Sequence, residues 1–144
     1  MQKLDKTTKL KLLIPFAYFV VTNILFVVSL EGVSYRHQIP GLLTANIAFV
    51  LWLTARIQLG NAFSIGPKSK FLVKSGLYAK LRHPVYYFSI LAVVGIGVFL
   101  WSPAALLVVV MLTALEISRI RKEEALLTKV FGKEYSDYKR QTWF

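Results

Sequence analysis

Long apolar stretches separated by short polar segments set the pattern of this chain. Leu12 to Leu30 holds 19 residues without a charge, close to the roughly 20 needed to cross a bilayer core. Ile39 to Ala55 is a second uncharged run, and Arg56 extends it if its long stem snorkels to the headgroups. Val85 to Leu115 is 31 residues without a charge; as one helix it would be about 46 Å long, half again the hydrocarbon thickness. Proline starts a helix well and continues one badly, so Trp101-Ser102-Pro103 is the expected break. The stretch therefore reads as a tight hairpin, Pro84 to Trp101 and Pro103 to about Arg121. The expectation is an all-α membrane protein of about four transmembrane helices.

The charges between the runs give an orientation. Met1 to Lys11 holds four lysines and one aspartate, and the segment between the second and third spans carries Lys68, Lys70, Lys74, Lys80 and Arg82 with no acid. The C-terminal tail holds seven basic residues from Arg119 onward, whereas Glu31 to Pro40 has only Arg36 and Trp101-Ser102-Pro103 has none. Basic and bare loops alternate, which predicts a multi-pass protein with both termini in the cytoplasm. The first run is longer than a signal-peptide core and lacks a small-x-small cleavage pattern at its end, so it reads as an anchor.

Composition narrows the chemistry. Of 144 residues, 56% are hydrophobic and 17% charged, more apolar and less charged than soluble domains. There is no cysteine and there are two histidines, His37 and His83, so a disulfide scaffold, a thiolate metal site and a cysteine nucleophile are excluded, and a metal centre is poorly supplied. A net charge of +11 would suggest nucleic acid in a soluble protein. Here the basic residues flank apolar runs, and membrane lipid is the expected partner instead. The polar residues inside the spans, Asn23, Asn46, Thr22, Thr44 and Thr54, are expected to hydrogen-bond between helices. Gly95 and Gly97 either form a cofactor glycine pair or let neighbouring helices approach closely.

Polar chemistry is concentrated at Leu59 to Tyr87 and at Glu116 to Tyr138, both on the expected cytoplasmic side. Gly60, Gly66, Pro67 and Gly76 punctuate the first segment as turns. Pro84 suits the first position of a helix whose free N–H groups, beside Arg82 and His83, would favour a carboxylate or phosphate. The same two residues could equally hold a helix end at the headgroups. In the second segment Glu116, Arg119 and Glu123 fall on one helix face. Glu116 lies deeper, where an unpaired carboxylate is costly, and Arg119 is its natural partner. An apolar stripe from Leu126 to Phe131 follows, Gly132 closes the helix, and Tyr135, Tyr138 and Trp143 complete an amphipathic interfacial segment.

The order of these motifs resembles the isoprenylcysteine carboxyl methyltransferase and phospholipid methyltransferase superfamily. The resemblance is carried by LGNAFS at Leu59 to Ser64, LVKSGLY at Leu72 to Tyr78 and RHPVY at Arg82 to Tyr86. Ser102-Pro103, the Glu123-Glu124 pair and FGKEYSDY at Phe131 to Tyr138 complete it. It implies one integral membrane domain, with two variable spans over 1–58 and a methyltransferase-like, cofactor-binding half over 59–144.

The resemblance further implies S-adenosylmethionine as methyl donor, bound from the cytoplasm between the loop and the hairpin. Gly76, Tyr78, Arg82, His83, Pro84 and Tyr86 would hold it, with Glu123 and Glu124 serving the ribose or the acceptor. Arg119 and Glu123 would be the catalytic pair. In-line methyl transfer needs no metal and no covalent enzyme intermediate; it needs alignment and exclusion of water. The acceptor would be lipophilic, and whether oxygen, nitrogen or sulfur is methylated is open. A four-span transporter would place an acid within a span, which the first run lacks; a non-enzymatic membrane scaffold is the third reading.

Overall fold

The computed structural model describes residues 35–60 and 72–143, together with Ala17, Phe19, Val20, Asn23 and Ile24 of an earlier helix; of 35–37 it describes the backbone. Most of the span expected over 12–30 therefore lies outside the described residues, as do 31–34 and 61–71. All regular structure among the described residues is helical: α1 (Tyr35–Leu59), a single 3₁₀ turn (Gly76–Ala79), α2 (Pro84–Leu100), α3 (Pro103–Phe131) and α4 (Lys133–Gln141).

Local chemistry explains where the helices stop and start. Trp101 ends α2 in the left-handed conformation at φ +41°, its N–H donating to the Gly97 carbonyl at 3.0 Å. The next residue, Ser102, caps α3 by accepting from the Ala105 N–H at 3.2 Å, and Pro103 takes the first helical position. The hairpin expected at Trp101-Ser102-Pro103 is thus observed. Gly132 closes α3 at φ +50°, a conformation favourable only to glycine, and α4 begins at once.

Among the described residues two helices, Gln38–Leu59 and Pro103–Phe131, are long and apolar enough to cross a membrane, and α2 is a shorter apolar helix. Their apolar side chains point outward: only 6% of the most apolar window of α3 is buried. A soluble protein would hide that surface; a membrane protein turns it to lipid.

The closest packing joins α1 to α2, and it runs through small residues. Ala48 and Ala55 are fully buried. A Cβ on Gly95 would meet the Ala45 amide and the Gly41 carbonyl oxygen, and one on Gly41 would meet the Phe99 backbone. Gly97 faces the other way, where a Cβ would press on Val109 of α3. Of the two readings of this glycine pair, close helix approach is what the geometry shows. Gly95→Leu is accordingly expected to destabilise the protein by at least about 3 kcal/mol, because backbone has nowhere to retreat. Thermal unfolding in detergent would measure it, and a stability like the parent's would mean the helices can part without cost.

Three expectations need correction. The polar loop Glu31 to Pro40 is shorter, since α1 begins at Tyr35 and contains Pro40; proline there leaves the Arg36 carbonyl without its helical donor, a cost the rest of the helix carries. Arg56 does not snorkel outward but is buried at 6% exposure, electrostatically coupled to Tyr78. Among the described residues the spans' polar side chains bond within their own helices rather than between them, and Thr22 lies outside the described residues. Thr44 and Thr54 donate to the Pro40 and Val50 carbonyls, and Asn23 and Asn46 to those of Phe19 and Leu42. An i−4 carbonyl is always within reach, whereas a partner helix must be in register.

Candidate functional site

The two polar segments meet. His83, buried at 3% exposure, is the residue before Pro84 at the start of α2. Its Nε2 lies 3.4 Å from Glu124 Oε1 and its Nδ1 lies 3.9 Å from Glu123 Oε2, both on α3. Burial holds the imidazole below its ordinary pKa despite the neighbouring Glu124. His83 is therefore neutral at pH 7, and these are polar contacts, not ion pairs.

Glu124 is a hub. Beyond the apolar part of α3, its carboxylate accepts from Lys139 Nζ at 3.1 Å and the Tyr135 hydroxyl at 3.4 Å, and lies 3.2 Å from Arg82 Nε in an ion pair without hydrogen-bond geometry. Burial pushes its pKa up, but the Lys139 hydrogen bond and the charges of Lys139 and Arg82 outweigh that and leave it below the usual carboxylate value. Glu124 is held ionised.

Its neighbour is in the opposite situation. Glu123 is pushed above the usual carboxylate value by burial, opposed by a hydrogen bond from Tyr86. Its Oε2 is buried and has no hydrogen-bond partner among the described residues; the same is true of the Tyr78 hydroxyl. Consecutive residues on a helix are turned about 100° apart, and here that turn separates a fully engaged carboxylate from one whose Oε2 has no hydrogen-bond partner among the described residues.

The loop above is fixed from both sides. Gln58 of α1 accepts from the Leu77 N–H at 2.8 Å. Gly76 sits on that side chain at φ +63°, where a Cβ would come 2.5 Å from Gln58 Oε1. From the other side the Tyr138 hydroxyl donates to the Tyr78 carbonyl at 2.6 Å, and the Trp143 N–H donates to the Lys80 carbonyl at 2.9 Å. Lys74 pairs with Glu134 at 2.7 Å. Burial pushes the Tyr138 pKa up to about 12, so that hydroxyl remains a donor at any physiological pH.

Of the residues selected from sequence, Arg82, His83, Pro84, Tyr86, Glu123, Glu124 and Tyr78 come together, and Gly76 shapes the turn above them. Arg119 lies nearer the hairpin tip, within electrostatic reach of Tyr86. It is 64% exposed and pairs with Glu116 at 3.1 Å, while Glu123 turns toward His83 and Tyr86. Sequence reasoning missed Gln58 and Arg56, which carry no motif signal of a partner. It read Tyr135, Tyr138 and Trp143 as part of an amphipathic interfacial segment. Tyr135 is 1% exposed and Tyr138 3%, and their face of α4 packs on the loop instead. A groove of about 400 Å³ runs between α2 and α3 near the hairpin, lined by Ile96, Gly97, Leu100, Ala105 and Val109 among others.

The phospholipid methyltransferase family profile matches residues 37–134, which takes in α1, the loop, the hairpin and both glutamates. The chain belongs to the phospholipid methyltransferase family. Within that family's wider circle it is similar to the protein-S-isoprenylcysteine O-methyltransferase of Dictyostelium discoideum, 36% identical over 84 residues, covering 50% of this chain and 31% of the relative. The Schizosaccharomyces pombe protein of the same name is 33% identical over 103 residues, with coverage of 61% and 40%. The cobalt-zinc-cadmium resistance protein CzcN of Cupriavidus metallidurans is 33% identical over 105 residues, with coverage of 71% and 45%. The chain spans less than half the length of these curated relatives.

Proposed function

We propose that this protein is an integral membrane methyltransferase that moves a methyl group from S-adenosylmethionine to a lipophilic acceptor at the cytoplasmic membrane face. The observation that carries the reading is the buried, unpartnered Oε2 of Glu123 facing His83 at the start of α2. A buried carboxylate oxygen without a partner is costly, and an amine, hydroxyl or protonated acceptor presented there would satisfy it.

The residues present fit the donor. The start of α2 and Arg82 suit its carboxylate, and His83 and Tyr86 line the same end. Gly76 and Tyr78 cover it, with the Tyr78 hydroxyl as a donor without a partner among the described residues. Glu124, already engaged by Arg82 and Lys139, holds the loop on α3; Glu123 is the carboxylate left for the ribose or the acceptor. When bound, the cofactor supplies a methyl group on a sulfonium, open to in-line attack. The protein's own tasks are alignment, exclusion of water by the loop, and, for an amine acceptor, removal of a proton by Glu123. Arg119, lower on the exposed side of α3, would face an acceptor arriving from lipid, and the groove between α2 and α3 offers apolar space for its hydrocarbon.

Alternating basic and bare loops support four spans with both termini cytoplasmic. The test is binding of S-adenosylmethionine to detergent-purified protein by calorimetry. His83→Ala or Tyr86→Ala is expected to weaken it by roughly ten- to a hundredfold, the loss of one charge-assisted hydrogen bond. Parent-like affinity in both variants would place the donor elsewhere.

A further inference from the structure

The packing contacts set the helices' relative heights, and those heights do not match an ordinary bilayer. Arg56 on α1 and Pro84 on α2 each lie eleven residues from the Ala45–Gly95 contact, so the buried arginine and the start of α2 are level. Gly97 faces Val109, and His83 faces Glu123, each pair fourteen residues from the other along its own helix. Arg56 of α1, His83 at the start of α2 and Glu123 of α3 therefore stand at one height. From the Trp101 tip, that height is the length of α2, 17 residues, or about 25 Å. The hydrocarbon core of a typical bilayer is about 30 Å thick.

The exposed face of α3 falls shorter still. Glu116 and Arg119 lie seven and four residues before Glu123, about 10 and 6 Å nearer the hairpin tip. They form an ion pair in which Arg119 is 64% exposed and Glu116 only 16%, so the charge on the exposed face at this level is the guanidinium. The tip itself carries Trp101, 65% exposed, a side chain suited to the opposite interface. The described residues of the N-terminal helix, Phe19 and Asn23, pack against α1 and α2. An exposed guanidinium in hydrocarbon costs about 3 kcal/mol or more, whereas drawing the leaflet in by the roughly 6 Å to Arg119, at fractions of a kcal/mol per Å, costs about 2 kcal/mol in all. Thinning wins.

We propose that this protein draws lipid headgroups inward to the Glu116–Arg119 level on the exposed face of α3, thinning the leaflet beside the candidate site. The inference rests on the membrane-spanning part of the reading above and needs no bound cofactor. Its consequence is access: a lipid's polar end reaches the height of Glu123 without its chain leaving the hydrocarbon.

The cysteine-free chain allows single cysteines, spin-labelled, at Leu107, Met111, Leu115, Ser118 and Lys122 in dioleoylphosphatidylcholine vesicles. Collision with oxygen reports hydrocarbon, and collision with a nickel chelate reports water. Leu107 and Met111 are expected to be oxygen-rich, with nickel accessibility rising several-fold between Leu115 and Ser118. If Ser118 stays oxygen-rich and the crossover falls beyond Lys122, the membrane reading stands and the thinning is wrong. Ser118 shielded from both reagents means protein covers this face, which also overturns it. Nickel accessibility at Leu107 and Met111 would remove the membrane reading itself and the thinning with it. As a second measure, the parent's melting temperature is expected to be higher in dimyristoleoyl than in dierucoyl phosphatidylcholine; the reverse order contradicts the proposal.

Discussion

Glu124→Gln is expected to lower stability by about 2 kcal/mol at neutral pH, toward the low end for breaking a buried charge pair because Arg82 and Lys139 keep partial access to water. The carboxylate joins three elements: Arg82 before α2, α3 itself, and Lys139 with Tyr135 on α4. Glutamine keeps the volume and one acceptor but removes the charge that both cations face. The pH dependence identifies the cause. Glu124 sits below the ordinary carboxylate value of 4.5 in the folded protein, so its contribution is present above pH 4.5 and lost as pH falls through the lower folded pKa. His83, held below 6.5, adds a loss that begins as pH falls under 6.5. Melting curves against pH should therefore show a shallower acid limb in Glu124→Gln, with the His83 component retained. An acid limb as steep as the parent's would mean that Glu124 does not carry the network.

Glu123→Gln is expected to do the opposite to stability and more damage to function. Its carboxyl is raised above 4.5 by burial, so the folded state favours the neutral form. That contribution is full below pH 4.5 and is lost as pH rises through the folded pKa. At pH 7 the ionised group is a liability, and an uncharged isostere removes it. The variant should melt higher than the parent and transfer methyl groups at least about tenfold more slowly, the loss of a positioned base or hydrogen-bond acceptor. Higher stability with lower turnover marks a group kept for function, because a side chain kept for folding loses both together. A lower melting temperature, or turnover like the parent's, would return Glu123 to a structural role.

Some of this was legible from residue order. Proline after Trp101-Ser102 marks a helix start so strongly that the hairpin could be placed to the residue. The RHPVY box and the Glu123-Glu124 pair come together because α2 and α3 are antiparallel neighbours joined by a tight turn, so residues far apart in sequence share one height. What stayed hidden depends on rotation. α1 is apolar on nearly every side, so nothing in its sequence says which face turns to the loop, and Gln58 and Arg56 gave no sign of reaching the Gly76–Ala79 turn. The α4 face of Tyr135 and Tyr138 was visible as amphipathic, but periodicity identifies a buried face without identifying what buries it. The threonines and asparagines of the spans went to their own carbonyls for the same reason: the local partner needs no tertiary register.

The measurement closest to the central claim is transfer of an isotopically labelled methyl group. Purified protein, reconstituted with lipids extracted from its source cells, is incubated with labelled S-adenosylmethionine, and the organic phase is analysed by mass spectrometry. Label is expected in a lipid-soluble product with the parent and at least about tenfold less of it with Glu123→Gln. If the parent binds the labelled donor yet leaves no label in any lipid-soluble product, it is not a methyltransferase acting on a lipophilic acceptor.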